Sequence, residues 1–459
     1  MTRRSADIVI CGAGIAGVSA AYHLSVRRGL RNILLVDSGA PLSLTSDKSM
    51  ECYRNWYPGP GDHMVSLVNR SIDIMEEIER ATDYNFHLNR RGYAFATARQ
   101  EEAERLQYEA EAESLLGVGS LRIHNGAASV SAYRPAPATG FEDQPIGADL
   151  LLDKKLIQRH FPHLSDATVA VLHARRCGWF SAQQYGMYML EQARAHGVEL
   201  LSGEVTAVTT NASAVSGVDI STEEQTLHVA TKCFLSASGP LQKQVGRLLG
   251  IELPISCELH LKAVFRDPLG VIPRDSPMVI WMDSGPLRWT DEERTELAED
   301  AQTQHLLESF PGGVHGRPEG GGDAIILQWT HDISETEPVF PLSIDPYYSE
   351  MLLRSMAVAM PAMEAYFTRS TKPFIDGGYY AKTPENRPLA GPLPVKGAFI
   401  IGAMSGFGMQ SSSALGELVS LHIAGEALPH YAPSFLLDRY DDASYLAALD
   451  SVDPRAGQI

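Results

Sequence analysis

The sequence predicts an α/β protein with two domains, one built on a parallel sheet and one on a mixed or antiparallel sheet with helices. Three observations support this fold class. The chain has 459 residues, which exceeds the size at which a single hydrophobic core usually stops growing. It begins with a strand, a glycine-rich turn and a helix, and a second unit of this kind starts near residue 397. The region between these units mixes strands and helices without an internal repeat.

The composition is that of an ordinary folded protein and argues against several classes of partner. The hydrophobic fraction is 44% and the charged fraction 20%, as in typical globular domains. The net charge of −18 argues against nucleic acid or an anionic membrane surface, because binding a polyanion needs an excess of cations. No apolar run reaches membrane-spanning length and no secretory signal is recognisable, so we expect a cytoplasmic protein. The five cysteines form no CxxC pair and predict neither disulfides nor a metal site: Cys11, Cys52, Cys177, Cys233 and Cys257.

The first forty residues predict a dinucleotide-binding unit. A buried strand leads into Gly12, Gly14 and Gly17, a helix follows, and a second strand ends on Asp37. This is the GxGxxG pattern in its expected setting, after a strand, at the start of a helix and followed by an acidic residue about 20 positions later.

Each residue type in this pattern has a physical role. Gly12 permits a tight turn, Gly14 lets a pyrophosphate approach the backbone, and Gly17 lets the helix pack closely on the strand. The free N–H groups at the start of the helix then bind the phosphate. Asp37 is expected to accept hydrogen bonds from the ribose hydroxyls. For NAD a complete series of strand–helix repeats would follow, but the pattern breaks after the second strand.

Hydrophobic periodicity and turn residues predict the order of the remaining elements. They are a helix at 62–82, a strand at 90–97, a helix at 101–116, a loop at 129–147, a helix within 178–197, a strand at 198–208, a β-meander, a buried strand that ends near Gly239, a mixed block at 256–371, and a strand at 398–401 followed by a glycine turn and a helix. The last strand needs a parallel neighbour, and its turn exposes N–H groups at the helix start.

Three motifs together resemble the FAD-dependent amine oxidoreductases of the D-amino-acid-oxidase superfamily, and within it the sarcosine-oxidase-like branch. They are "CGAGIAG…LLVD" near the N-terminus, "SASGP" at 236–240, and "TPENRPLAGP…IIGAMSGFGMQSSSALGELV" near the C-terminus. The resemblance covers nearly the whole chain and favours FAD over NAD. It implies a discontinuous Rossmann-like FAD-binding domain at 1–90, 150–255 and 372–459, and a substrate-binding domain at 91–149 and 256–371.

The resemblance also implies the cofactor site. In relatives with this pattern the distal glycine turn meets the flavin ring, and helix N–H groups stabilise the anionic reduced ring. The residues expected to bind FAD are Gly12, Gly14, Ile15, Ala16, Gly17, Asp37, Ser38, Thr45, Ser46, Val205, Ser238, Gly239, Gly402, Met404, Ser405, Gly406, Phe407, Gly408, Met409 and Gln410.

FAD is expected to bind without a covalent bond. No His-His pair precedes residue 50, and the cysteine that tethers the flavin in some relatives falls near Gly378. Cys52 has the chemistry to form a thioether, but we favour its role as a small buried hydrophobe.

Arg54 matches the family's substrate-binding arginine, and a guanidinium suits bidentate binding of a carboxylate. The family's second carboxylate ligand, a lysine, is Gln410 here, which removes one positive charge. Aromatic residues are expected to exclude water and favour the uncharged amine; the candidates are Trp56, Tyr57, Trp329, Tyr379 and Tyr380. His260 lies on a strand expected to cover the pocket, where it could take a proton.

The electron acceptor stays open between oxygen and another carrier. Some oxidases of this branch use a lysine near the flavin to activate oxygen, but Leu327 or Gln328 stands at the matching strand position. Either the acceptor is not oxygen, or Lys48 or Lys262 supplies the charge.

The resemblance implies that the protein oxidises the C–N bond of an amine, an N-substituted amino acid or a cyclic amine to the imine, by hydride transfer to flavin N5. Two alternatives remain. The substrate could be a larger specialised metabolite, or the chain could be a non-catalytic flavin-bearing subunit or assembly partner.

Overall fold

The strand–turn–helix–strand unit at the N-terminus contributes the central strands of a six-stranded sheet. The computed structural model describes residues 3–57, 59–83, 85–126, 132–369 and 372–449. The order of strands across this sheet is Val198–Ser202, Ile33–Asp37, Ile8–Cys11, Phe234–Ser236, Ala398–Gly402 and Leu389–Pro392. All neighbours pair in parallel except the last pair, which is antiparallel. The predicted strand at 398–401 thus has its parallel neighbour, the strand Phe234–Ser236 that leads into the "SASGP" segment.

A nine-stranded sheet faces this unit. Its strands run in the order Phe374–Lys382, Ser256–Arg266, Ala324–Gln328, Val314–Pro318, Met278–Trp281, Tyr93–Thr97, Ala170–Ala174, Ala148–Leu151 and Leu121–His124. Most pairs are antiparallel, so the sheet is mixed as predicted. Two of its strands, Ala170–Ala174 and Phe374–Lys382, lie in segments predicted to belong to the FAD-binding domain, and a third, Ala148–Leu151, crosses the predicted boundary at 150. The predicted boundaries at 150 and 372 therefore do not follow the sheets.

The remaining strands form smaller sheets. A four-stranded sheet has the order Arg3–Ser5, Thr226–Ala230, Ala214–Ser221 and Glu204–Asn211. There are also two strand pairs in the described residues: Cys52–Arg54 pairs with Cys177–Trp179, and Gly285–Pro286 pairs with Ser309–Phe310. The strand predicted at 198–208 is therefore two strands in different sheets, divided at Gly203, where the chain changes direction.

The α-helices of the described residues are Ile15–Tyr22, His63–Ala81, Gln100–Glu113, Lys154–His160, Ala182–Ala195, Gln242–Arg247, Asp291–Glu299, Tyr348–Ala359, Gly408–Ala424 and Ala443–Leu449. The predicted helix within 178–197 begins only at Ala182, because the residues before it pair with the strand Cys52–Arg54. Within the predicted loop, 132–147 has neither helix nor strand, and 129–131 lies outside the described residues. Across the described ranges, every helix falls short of the length and apolarity needed to span a bilayer.

The helices at the two ends of the chain pack against each other. The N-terminal helix Ile15–Tyr22 is buried along its whole length. Ser19 Oγ donates to the carbonyl of Ser412, 2.8 Å away, and a Cβ at Gly416 would lie only 2.3 Å from that hydroxyl. This close contact places the two glycine turns, which precede these helices, next to each other.

Candidate functional site

Three adjoining cavities form one slot between the two main sheets. The nucleotide cavity, of about 360 Å³, is lined by Gly12, Gly14 and Asp37 among others. The middle cavity, of about 100 Å³, shares Gly14 with it and is also lined by the distal turn at 402–406. The inner cavity, of about 80 Å³, shares Gly406 with the middle cavity. Both glycine turns therefore line this series of adjoining cavities.

The N-terminal turn depends on glycine for two distinct reasons. Gly12 has φ of +109°, and a Cβ there would lie 2.4 Å from the carbonyl oxygen of Ala237. A Cβ at Gly17 would lie 1.8 Å from the carbonyl oxygen of Gly12. At Gly14 a Cβ would meet only the hydroxyl of Ser46, at 3.3 Å. The protein itself thus needs Gly12 and Gly17, whereas the open space at Gly14 belongs to the slot.

Asp37 organises the wall of the nucleotide cavity. Its carboxylate accepts hydrogen bonds from the amides of Ala13 at 2.6 Å and Gly39 at 2.8 Å. Ser46 Oγ accepts a hydrogen bond from the amide of Ile15, at the start of the N-terminal helix. The cavity is also lined by the predicted residues Ser38, Thr45, Ser46, Val205, Ser238 and Gly239. Ile15 and Ala16 line the middle cavity instead.

The distal turn has a strained backbone that is fixed from both sides. Ala403 and Ser405 have φ values of +50° and +47°, a region that residues with a side chain rarely adopt. The amide of Ser405 donates to the carbonyl of Ala381 at 2.8 Å, and its hydroxyl donates to Asn386 at 3.0 Å. A Cβ at Gly406 would lie 2.6 Å from the ring of Tyr380.

The helix Gly408–Ala424 starts at the slot without a side-chain cap. The first N–H groups of a helix have no partner within the helix, and its dipole favours negative charge nearby. Gly408 and Met409 line the middle cavity, and Phe407, Met409 and Gln410 line the inner one. Gly402 and Met404 also line the middle cavity. This turn can therefore stabilise an anionic ring system.

Arg54 lies in the inner cavity with 5% of its surface exposed. Its guanidinium carbon is 5.1 Å from the ring centre of Tyr57, a cation–π contact. The side-chain oxygen of Gln410 accepts from the amide of Arg54 at 2.6 Å, and its amide nitrogen donates to the hydroxyl of Tyr57. Burial raises the pKa of Tyr57, so its hydroxyl stays protonated. Gln410 thus holds Arg54 and Tyr57 in position.

Replacing Gln410 by alanine should lower the free energy of unfolding by roughly 1–3 kcal/mol, because two buried polar groups lose their partner. Thermal unfolding followed by circular dichroism measures this loss. The matched control is Gln225→Ala, at an exposed glutamine. Equal midpoints for the two variants would show that the Gln410 hydrogen bonds do not stabilise the site.

Tyr380 separates the middle and inner cavities and is supported from behind by His260. Its hydroxyl accepts from Gln328 at 2.9 Å, and its ring stacks on His260 with 4.0 Å between ring centres. His260 Nε2 contacts Glu258 at 3.0 Å, and Lys382 donates to the same carboxylate at 2.7 Å. Burial lowers the pKa of His260. His260 lines none of the three cavities, so it positions Tyr380 and does not face the slot.

Several predicted residues lie away from the inner cavity. Trp329 packs on Phe310 in the core behind the sheet, because its neighbours Gln328 and Thr330 face the cavity and side chains alternate along an extended chain. Lys48 pairs with Asp376 at 2.8 Å and lines none of the three cavities. Trp56 and Tyr57 are buried near Arg54 without lining these cavities, and Tyr379 lines the middle one.

Lys262, unlike Lys48, donates a hydrogen bond to a residue that lines the slot. Its ammonium donates to the carbonyl of Ser49 at 2.7 Å, and Ser49 lines both the middle and the inner cavity. Burial lowers the pKa of Lys262.

The sequence did not single out six of the residues that line the inner cavity. They are Ser49, Met50, Tyr93, Met278, His315 and Thr330. Several of them meet only through strand pairing, as Tyr93 does with Met278 and His315 with Gln328. The alternation in "VHGRP" was the available signal for His315, but it does not tell which face of the strand lines a cavity.

Cys52 also lines the inner cavity. Its sulfur lies 3.1 Å from the carbonyl oxygen of Met50 and 3.7 Å from the sulfur of Met278. Burial raises the pKa of the thiol, which keeps it protonated and weakly nucleophilic.

Comparisons with known proteins agree with this architecture. The family described as "DAO: FAD dependent oxidoreductase" matches residues 7–420. Sarcosine oxidase subunit beta from Arthrobacter sp is 26% identical over 90 residues, which cover 20% of this chain and only 22% of that relative.

Solved structures of similar fold cover nearly the whole chain. L-proline dehydrogenase from P. horikoshii has a TM-score of 0.72 at 18% identity, covering 96% of this chain and 99% of its own. Glycine oxidase from Geobacillus kaustophilus has a TM-score of 0.69 at 17% identity, covering 96% and 99%. L-amino acid deaminase from Proteus vulgaris has a TM-score of 0.69 at 16% identity, covering 95% and 97%.

These comparisons confirm the predicted fold class and the family resemblance. At such low identities the solved structures establish the fold alone, whereas the family pattern extends over most of the sequence. The protein therefore belongs to the DAO family of FAD-dependent oxidoreductases.

Proposed function

We propose that the protein oxidises the C–N bond of a small amine that carries a carboxylate, such as an N-substituted or cyclic amino acid, to the imine. One observation carries this proposal: the buried Arg54 lies in the cavity that adjoins the distal glycine turn. A guanidinium that lines a cavity can bind an anion, and a carboxylate fits its planar fork. Arg54 would then hold the substrate against the turn that lines the middle cavity.

The slot fits FAD along its length. Gly14 and the N–H groups of the helix that follows would hold the pyrophosphate, and Asp37 the ribose. The turn at 402–408 and the uncapped helix after it would hold the ring. FAD supplies the two-electron chemistry when bound. With the Cys52 thiol kept protonated by burial, we propose non-covalent binding.

The protein's own residues orient the substrate and exclude water. Tyr93, Tyr380 and Phe407 give the inner cavity an aromatic wall, and Met50 and Met278 give it an apolar sulfur-containing one. Such a wall lowers the local polarity and favours an uncharged amine over an ammonium. Gln410 and Tyr57 keep Arg54 in place at the other side.

The size of the inner cavity, about 80 Å³, favours a small substrate over a larger specialised metabolite. The structural neighbours agree, since their names specify proline, glycine and L-amino acids. The acceptor is oxygen or another carrier; Lys262, bonded to Ser49 at the wall of the slot, is the cation placed to favour oxygen.

Anaerobic mixing of the holoprotein with pairs of amines tests this function. We expect carboxylate-bearing amines, for example proline and N-methylglycine, to bleach the flavin absorbance, and their counterparts without a carboxylate, pyrrolidine and dimethylamine, to bleach it far more slowly. Admitting air and then an artificial dye identifies the acceptor. If dithionite reduces the flavin and none of the amines does, the proposal is contradicted and a non-catalytic flavin-bearing subunit is favoured.

A further inference from the structure

His315 lines the inner cavity from the middle of the nine-stranded sheet. It lies on the strand Val314–Pro318, where its cross-strand neighbours are Ile280 and Gln328. The side chain is 6% exposed and borders the same cavity as Arg54. Strand pairing on both sides fixes the backbone of His315.

The hydrogen bonds of His315 define which ring nitrogen carries the proton. Nδ1 lies 2.8 Å from the carbonyl oxygen of Gly313. A carbonyl can only accept, so Nδ1 carries the hydrogen and Nε2 has the free lone pair. Burial lowers the pKa of His315 to about 4, and the positive charge of Arg54 contributes to the shift. The ring is therefore neutral at pH 7, and within the described part of the chain Nε2 has no hydrogen-bond partner.

The inner cavity thus combines a cation with a neutral acceptor. Arg54 offers N–H donors to an anion, whereas His315 Nε2 offers a lone pair to an N–H group. The amide of Gln410 is already bonded to Arg54 and Tyr57, and the amide nitrogen of Gln328 to Tyr380. A ligand with a carboxylate and an adjacent N–H can bind Arg54 through the carboxylate and His315 through the N–H.

We propose that His315 determines substrate specificity by accepting a hydrogen bond through Nε2 from the N–H of the substrate. This inference rests on the proposed function, because Arg54 must anchor the carboxylate. His315 would then select amines that have an N–H group on the nitrogen attached to the carboxylate-bearing carbon. An oxygen analogue turns a lone pair towards Nε2 and a tertiary amine turns an alkyl group towards it, so in either case Nε2 has no donor, which costs binding free energy.

Two planar ligands of equal shape test this role in the holoenzyme. Pyrrole-2-carboxylate and furan-2-carboxylate differ only in N–H against O, and neither is an aliphatic amine that can be oxidised to an imine. Their dissociation constants follow from perturbation of the flavin absorbance. We expect the wild type to prefer the pyrrole by roughly 5- to 100-fold, the range for one buried hydrogen bond.

Variants separate this role from a structural one. His315→Phe should abolish the preference, while His315→Gln, which retains an acceptor oxygen, should keep part of it. The control His331→Phe replaces a half-buried histidine that lines none of the three cavities and should leave the preference unchanged. Should His315→Phe fail to bind FAD, the test uses the preference for the pyrrole in the wild type and in His315→Gln, which should be smaller in the variant.

The outcomes distinguish this inference from the proposed function. If the wild type binds both ligands equally and Arg54→Ala loses both, the carboxylate anchor stands and the role of His315 is wrong. A preference that survives in His315→Phe would also overturn it. If neither ligand binds the wild type, the anchor itself fails, and this inference with it.

Discussion

Gly14→Val is expected to fold and to purify without FAD. Gly14 has φ of −68° and ψ of 179°, which valine adopts readily, and its Cβ would meet only the flexible side chain of Ser46. The methyl groups would instead enter the nucleotide and middle cavities, which Gly14 lines. Because they occupy the space that the pyrophosphate needs, we expect the dissociation constant of FAD to rise at least about a hundredfold, or roughly 3 kcal/mol.

The absorbance spectrum of the purified variant measures this effect, and circular dichroism checks its fold. Gly285→Val is the matched control, since a Cβ at Gly285 has no heavy atom within 4 Å and that residue is remote from the glycine turns in sequence. This control should remain yellow. Retention of stoichiometric FAD by Gly14→Val would refute the placement of the pyrophosphate.

Arg54→Ala is expected to weaken the binding of a carboxylate-bearing substrate or inhibitor by about 2–5 kcal/mol, which is roughly 30- to 5000-fold. The guanidinium is almost fully buried, so solvent cannot replace it as a partner for the anion. Removing it leaves a desolvated carboxylate without a counterion. Binding of FAD should persist, because Arg54 lines only the inner cavity.

Titration of the flavin absorbance with a carboxylate and with its carboxamide measures this change. The wild type should prefer the carboxylate, and Arg54→Ala should bind the two forms about equally. The control Arg266→Ala removes a charge from a 72% exposed side chain that pairs with Asp323. Should Arg54→Ala bind the carboxylate as tightly as the wild type, Arg54 does not contact the substrate.

The sequence alone predicted the parts of the fold that depend on residues close to one another in the chain. The N-terminal strand, turn and helix follow from local spacing, and the structure has them at Ile8–Cys11 and Ile15–Tyr22. The nine-stranded sheet joins strands from distant segments, such as Tyr93–Thr97 with Met278–Trp281. Such pairing leaves no local signal, which is why the predicted domain boundaries do not follow the sheets.

The same limit applies to the candidate site. His260 and His315 both lie on strands of one sheet, and alternation predicts two faces for each strand. It does not predict which face meets the slot, and the structure places His315 at the cavity and His260 behind Tyr380. Trp329 was predicted to line the substrate pocket, but it lies on the opposite face from Gln328, which does line the inner cavity.

A crystal structure of the holoprotein tests the central claim most directly, namely that the two glycine turns hold one FAD. It should show the pyrophosphate within hydrogen-bond distance of the amides that follow Gly14, and the flavin ring in contact with residues 402–410 and directed towards Arg54. A flavin ring bound away from residues 402–410 would contradict this arrangement.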